Sequence, residues 1–346
     1  MLPKTMGSPD CFNFRAQELR ELGDADDDES VARSFVEHVK PGGVHANFVA
    51  AGQIAHIIGD TLFVHGGINA LNQGYVPPYG SKREQVVSTL REWVEEINNF
   101  AKSESRDYTE SLESYLKMNS TDYYAKEGGY NHQQPGSRLV HYGMGPNPDG
   151  STNTTVIYCN YLVNGKPSPM ETSVVKWLQE GGVNRVVVGH QPHGDAPLVI
   201  QCAHGVQVVT GDTSYAKDAK YQSNPAIGSI NLVPSHRLKD AAEYGTRGIA
   251  CSEIVLSPSR AQFGCSVLRV RGNLQNGTEY DFIVPDGLLN DKIGLATADG
   301  WWVKADAPTG EGYYLSKQEG FRVDNTFVSK DQISVVLRDG VPNNIS

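Results

Sequence analysis

In the segment RVVVGHQPHG, residues 185–194, an apolar run ends in a glycine and a histidine. An earlier segment, TLFVHGG at residues 61–67, has the same form. A strand that stops on a histidine delivers an imidazole to the rim of a sheet, and the adjoining glycines let backbone approach a metal or phosphate closely. Binding sites gather at such strand ends, and imidazole is a common metal ligand. Two such ends therefore predict one shared metal site.

Three segments together resemble a known family. GDTLFVHGGI, residues 59–68, resembles the HGG motif of calcineurin-like metallophosphoesterases, especially the phosphoprotein phosphatases and diadenosine tetraphosphatases. VVVGHQPHGDAP, residues 186–197, resembles their later GH motif, and VQVVTGDTSYA, residues 206–216, resembles the strand and turn that close their domain. The order and rough spacing of the three agree, over residues 45–76 and 168–216.

Three further motifs of that family, GDxHG, GDxxDRG and GNHE, do not occur in this sequence. In family members they lie upstream of HGG and supply the bridging aspartate, other metal ligands and the catalytic histidine. The resemblance therefore implies the C-terminal part of a phosphoesterase, as a truncated gene model, a natural truncation or a degenerate homologue. It leaves the catalytic residues unassigned.

The resemblance also implies roles for individual residues. His65 and His190 match the histidines that bind the second metal ion. Arg138, between the two histidine motifs, is a candidate for the substrate-binding arginine of protein phosphatases, since a guanidinium group binds phosphate through two charge-assisted hydrogen bonds. Arg247 is a rival for that role.

Three further residues near the second histidine motif are secondary candidates. His193 is read either as a metal or substrate contact or as a loop residue held by a hydrogen bond. Asp195 is expected to orient an imidazole or to cap the next turn, as carboxylates behind ligating histidines do. Asp212 is read either as a residue beside the site or as the centre of an Asx-turn.

The expected function is hydrolysis of phosphate monoesters by water activated between two divalent metal ions, Mn, Fe or Zn, with one ion or none held by this chain alone. Substrates would be phosphorylated proteins or small phosphoesters, including phosphoserine, phosphothreonine, phosphotyrosine and dinucleoside polyphosphates. One alternative is a non-catalytic binding or scaffold module on a degenerate phosphoesterase fold. A weaker alternative is an unrelated zinc hydrolase with a site formed by His65, His190 and His193.

Composition narrows the class of protein. The net charge of −10 over 346 residues argues against nucleic-acid binding, which needs a basic surface. Because the sequence has no apolar run of about 18 residues and no signal-peptide core, we expect neither a membrane partner nor secretion. Five scattered cysteines favour reduced thiols and a cytoplasmic location.

The predicted fold class is α/β: a partial calcineurin-like sandwich of mixed sheets flanked by helices, with a β-rich C-terminal extension. Residues 1–44 form a polar N-terminal segment, residues 45–285 the C-terminal part of a metallophosphoesterase domain, and residues 286–346 the β-rich extension. Hydrophobic periodicity predicts four helices, at residues 29–39, 81–103, 108–118 and 168–179. Ser81 and Glu84 form a candidate capping box for the second of them.

Overall fold

The computed structural model describes most of the chain, in these segments: residues 11–118, 134–144, 154–163, 165–194, 196–213, 223–224, 229–230, 252–257, 267–274, 277–284, 292–307, 309–319 and 322–336. They form a mixed α/β protein with several β-sheets. The helices α1 to α6 are Cys11–Leu22, Asp28–Val39, Val44–Ala51, Leu90–Met118, Ser137–Tyr142 and Thr172–Glu180.

The strands β1 to β9 are Ala55–Ile58, Thr61–Val64, Tyr75–Val76, Gln85–Val86, Leu162–Val163, Lys166–Pro167, Arg185–Val188, Leu198–Gln201 and Gln207–Thr210. The remaining strands, β10 to β19, are Ser223–Asn224, Ser229–Ile230, Ser252–Ser257, Val267–Asn273, Glu279–Val284, Ala296–Thr297, Trp302–Asp306, Gly312–Glu319, Arg322–Ser329 and Val335–Val336. A 3-10 helix, Ala203–Gly205, joins β8 to β9.

The helix predicted at residues 29–39 is confirmed as α2, which begins one residue earlier. Asp27 caps it, because its carboxylate accepts hydrogen bonds from the backbone N–H groups of Glu29 and Ser30. The helix predicted at residues 168–179 is confirmed as α6, which begins at Thr172.

The helix predicted from Ser81 begins later, at Leu90, and runs without a break to Met118. The predicted capping box is wrong, since β4 pairs with β3 in a short hairpin immediately before the helix. Glu96, within the helix, accepts hydrogen bonds from the Tyr79 hydroxyl and the Lys82 ammonium group, and so holds this hairpin against α4. Tertiary contacts outweigh the local helix signal here.

A five-stranded sheet with the order β1-β2-β7-β9-β8 lies at the centre of the fold. The inner strands β2, β7 and β9 are parallel to one another, whereas β1 and β8 are antiparallel edge strands. The parallel strands read as continuous apolar runs, as strands buried on both faces do.

One face of this sheet packs on helices. A single row of paired residues crosses all five strands on this face: Ile57, Leu62, Val186, Val208 and Ile200. These side chains share a core with the buried faces of α4 and α6. Trp93 of α4 and Trp177 of α6 meet there edge to face, with ring centroids 5.8 Å apart.

The opposite face carries the next row of paired residues: His56, Phe63, Val187, Val209 and Val199. Val199 and Val209 are buried in a second core, with residues of β13, β14, β16 and β17. The β-rich segment predicted as an extension after residue 285 therefore shares one core with the central sheet. Trp302 reinforces this contact, because its indole N–H donates to the Val199 carbonyl over 2.9 Å.

Among the residues that the structure describes, none of the helices combines the length and apolar character needed to cross a bilayer.

Candidate functional site at the carboxyl ends of β2 and β7

His65 and His190 lie side by side at one edge of the central sheet. Each histidine follows a parallel strand, His65 directly after β2 and His190 two residues after Val188, the last residue of β7. Their ring centroids are 5.5 Å apart, although 125 positions separate the two residues in the chain. The sequence-based prediction that the two imidazoles converge is confirmed. His65 is exposed to solvent and His190 is half-buried.

Backbone contacts fix the two strand ends relative to each other. The N–H of Gly189 donates to the His65 carbonyl over 2.7 Å, which extends the pairing of β2 and β7 beyond the strands themselves. Gly66 is required by close packing, since a Cβ there would lie 2.3 Å from the carbonyl oxygens of Ile157 and Cys159. Gly66 thus allows the backbone to pass where a larger residue would not fit.

His190 has an unfavourable backbone conformation. Its φ of 74° lies in the left-handed region, which is rarely adopted by residues other than glycine. Such a conformation costs of order 1–3 kcal/mol and persists where surrounding contacts hold it. His190 lies in the turn at residues 189–194, which follows β7, and its ring lies beside that of His65.

Burial lowers the pKa of His190, the neighbouring His65 lowers it further, and Asp212 acts in the opposite direction. The net shift favours neutral imidazole, which is the form that binds metal ions. Asp212 follows β9 and is exposed. Its Oδ1 lies 3.0 Å from the position that a Cβ on Gly189 would occupy, so the carboxylate sits next to the turn that carries His190.

Tyr158 completes a row of three rings at this edge. Its ring meets that of His190 edge to face, with centroids 4.9 Å apart, and 44% of the residue is exposed. Sequence reasoning missed Tyr158, which lies in a segment, residues 154–161, without regular secondary structure. An aromatic residue between two polar segments is a weak signal, and no motif marked it.

His193 points into the protein interior, away from solvent. It is 1% exposed, and its Nδ1 lies 3.4 Å from the ammonium group of Lys304 in β16, itself 2% exposed. Burial, together with Lys304, lowers the pKa of His193 to about 2. His193 has a buried contact with a cationic side chain, which agrees with the alternative of a loop residue held by a hydrogen bond. This placement also weakens the three-histidine zinc site.

Of the three remaining candidates, Arg138 is among the described residues. Arg138 lies in α5, where its Nη1 is 3.6 Å from Oε1 of Glu104 and about half of its side chain is exposed. Burial raises the pKa of Glu104, and the adjacent guanidinium group only partly opposes this shift. Asp195 and the rival Arg247 are outside the described residues.

A cavity of about 510 Å³ opens beside His65. Phe63 and Val187 line it from the sheet, and Leu139 and Tyr142 line it from α5, the helix that also carries Arg138. A mostly apolar cavity next to two convergent imidazoles is a common setting for a ligand site.

His65 and His190 by themselves do not complete the coordination sphere of a metal ion. Across the described part of the chain, no group of three or more His, Cys, Asp or Glu side chains is placed to hold a metal ion. Structural and catalytic zinc sites take at least three protein ligands. His65 and His190 can therefore supply two ligands to one ion.

Comparison with known proteins identifies no matching family model, no matching curated protein and no matching solved structure.

Proposed function

We propose that this chain carries the second-metal half of a two-metal phosphoesterase site and acts on phosphate monoesters. The observation that supports this most is the meeting of His65 and His190, from two distant segments, at the carboxyl ends of adjacent parallel strands. The layered arrangement, with helices on one face of the sheet and β-strands on the other, is compatible with the calcineurin-like sandwich that the motifs suggest.

The separation of the two rings suits one shared ion. With metal–nitrogen distances of about 2.0–2.1 Å, two imidazoles on one tetrahedral ion have ring centres about 5 Å apart. The 5.5 Å separation of His65 and His190 is close to that value. Mn, Fe and Zn all accept imidazole nitrogen. The remaining ligands, and those of a second ion, would come from residues other than this pair.

In this proposal each residue has a limited and definite part. His65 and His190 bind the ion, and the glycines beside them leave room for a phosphate close to the backbone. Bound divalent ions of this kind supply an activated water and offset charge on the phosphoryl oxygens. Arg138 would have to exchange its contact with Glu104 for one with the substrate. No general acid is assigned, so we expect slow turnover.

A second candidate is a non-catalytic binding module on a related fold. It is favoured by the incomplete ligand set of the described residues. Such a module would keep the cavity beside His65 as a binding site but would show no metal-dependent hydrolysis.

The proposal is tested by titrating the purified protein with Zn²⁺ or Mn²⁺ in a calorimeter, and by assaying p-nitrophenyl phosphate with added Mn²⁺. We expect one ion per chain, with binding lost in both His65→Ala and His190→Ala. His204→Ala is the matched control, because His204 is an exposed histidine that also has a positive φ, 55°. It should bind metal like the wild type.

Three outcomes separate the candidates. Metal binding that depends on both histidines, with slow turnover, supports the half-site. Metal binding to the wild type that survives both substitutions contradicts it. Absence of both metal binding and hydrolysis in a well-folded protein favours the non-catalytic module.

A further inference from the structure

Lys304 is an unusual residue for its position in the fold. It lies within β16, between Val303 and Ala305, which belong to the second core, and it is itself 2% exposed. An ammonium group is expensive to bury unless it is paired or hydrogen-bonded. The contacts of this group therefore indicate why the residue is there.

A β-bulge aims the Lys304 side chain. Val303 pairs with Leu315 and Ala305 pairs with Tyr314, so the pairing register shifts by one residue at Lys304. Bulges re-aim side chains and are frequent next to functional sites. Here Lys304 reaches the turn that follows β7, 111 positions earlier in the chain.

Lys304 contacts His193 at two points. Its ammonium group donates to the backbone carbonyl of His193 and lies 3.4 Å from the ring Nδ1. A lysine ammonium group has no acceptor, so Nδ1 must be the acceptor and the ring proton must sit on Nε2. The lowered pKa of His193 agrees with a neutral ring.

The turn at residues 189–194 is thereby held at both ends. At its start, Gly189 donates to the His65 carbonyl over 2.7 Å. Near its end, Lys304 binds the His193 carbonyl. Between these two attachments lies His190, whose φ of 74° requires support from its surroundings. Fixing both ends of a short turn restricts the backbone angles that the residues between them can adopt.

We propose that Lys304 is a positioning residue that holds the His190 imidazole against His65 by anchoring the far end of the turn. The significance of this for metal binding rests on the function proposed above, whereas the positioning itself does not. The β-rich C-terminal segment would then take part in building the site at the edge of the central sheet.

The first test needs no metal and no substitution. In the wild-type protein, NMR should show slow exchange of the Lys304 ammonium protons with water and a nuclear Overhauser effect between the His65 and His190 rings. Rapid solvent exchange of the Lys304 ammonium protons would overturn the proposal, because an exposed lysine cannot anchor the turn.

The second test compares variants. Lys304→Met keeps the length of the side chain and removes its donor, and Lys304→Gln restores a neutral donor. Lys176→Met, at an exposed position of α6, is the matched control. Each protein is first confirmed as folded by its thermal transition. We expect the nuclear Overhauser effect between the His65 and His190 rings to be lost in Lys304→Met, partly regained in Lys304→Gln and unchanged in the control. If Lys304→Met does not fold, the same comparison is made with Lys304→Gln, which should weaken the effect.

The metal titration supplies an independent readout. Zn²⁺ affinity should fall at least tenfold in Lys304→Met at a temperature well below its unfolding transition, where a loss of global stability alone would not change it. If the wild type binds no metal but Lys304→Met still separates the rings, the proposed function fails and the positioning role stands. If the rings of folded Lys304→Met remain as in the wild type, the positioning role is wrong whatever the metal does.

Discussion

The two flanks of the central sheet differ sharply in how they are covered. At the β8–β9 flank, Val199 and Val209 are fully buried against the C-terminal strands. At the β1 flank, His56 of the same row is exposed, and Phe63 lines an open cavity. Helix α3, which reaches that cavity through Val49, leaves Phe48 79% exposed.

Burial in this fold depends on what packs against a strand as well as on how apolar the strand is. TLFV of β2 is as apolar in character as LVIQ of β8, yet the outward face of β2 is incompletely covered. The candidate site lies at the border between the flanks. His65 belongs to the open side, whereas the turn that carries His190 is tied to the covered side through Lys304.

The largest difference between the flanks should appear when a carboxylate is introduced on each flank within one row. Val209→Asp places an unpaired charge in the second core, and we expect the free energy of unfolding to fall by at least about 4 kcal/mol. His56→Asp, in the same row but exposed, should change it by less than about 0.5 kcal/mol. Urea denaturation followed by circular dichroism measures both. Equal losses would show that the open flank is in fact packed.

Acid should weaken the covered flank through His193. Its pKa in the folded protein, about 2, lies below the ordinary value of 6.5, so the unfolded chain takes up the proton first. The contribution of the neutral ring to stability is complete above pH 6.5 and declines as the pH falls below it, by up to about 1.4 kcal/mol per pH unit. Urea midpoints measured between pH 7.5 and pH 5 should show this slope.

The matched variant is His193→Asn, which keeps a hydrogen-bonding side chain but does not titrate in this range. Its stability should fall less steeply than that of the wild type over the same pH interval. Identical slopes would assign the acid sensitivity to other groups and would place His193 in contact with water.

The smallest effect on stability is expected at the open flank. Phe48→Ser on α3 should leave the free energy of unfolding within about 0.5 kcal/mol of the wild type, because the ring is mostly exposed. It should nevertheless reduce the fluorescence of a bound hydrophobic dye, since exposed apolar groups form the binding surface. Ala51→Ser, at an exposed position of the same helix, is the control. Unchanged dye binding would locate the exposed apolar surface elsewhere.

The sequence alone predicted the arrangement of the two histidines. Apolar runs ending in glycine and histidine are local features, and parallel strands bring their carboxyl ends to one edge, so 125 intervening residues did not obscure the result. The helices α2 and α6 were also predicted, because hydrophobic periodicity acts over a few positions.

Tertiary structure decided the features that depend on distant partners. The start of α4 at Leu90, in place of residue 81, follows from contacts between the helix and the preceding hairpin. The contact of Lys304 with His193 joins residues 111 positions apart, and a lysine inside an apolar strand was its sole signal in the sequence. Periodicity and motif spacing report on neighbours along the chain, whereas the cover of each sheet face and the support of a strained turn arise when separate segments pack together.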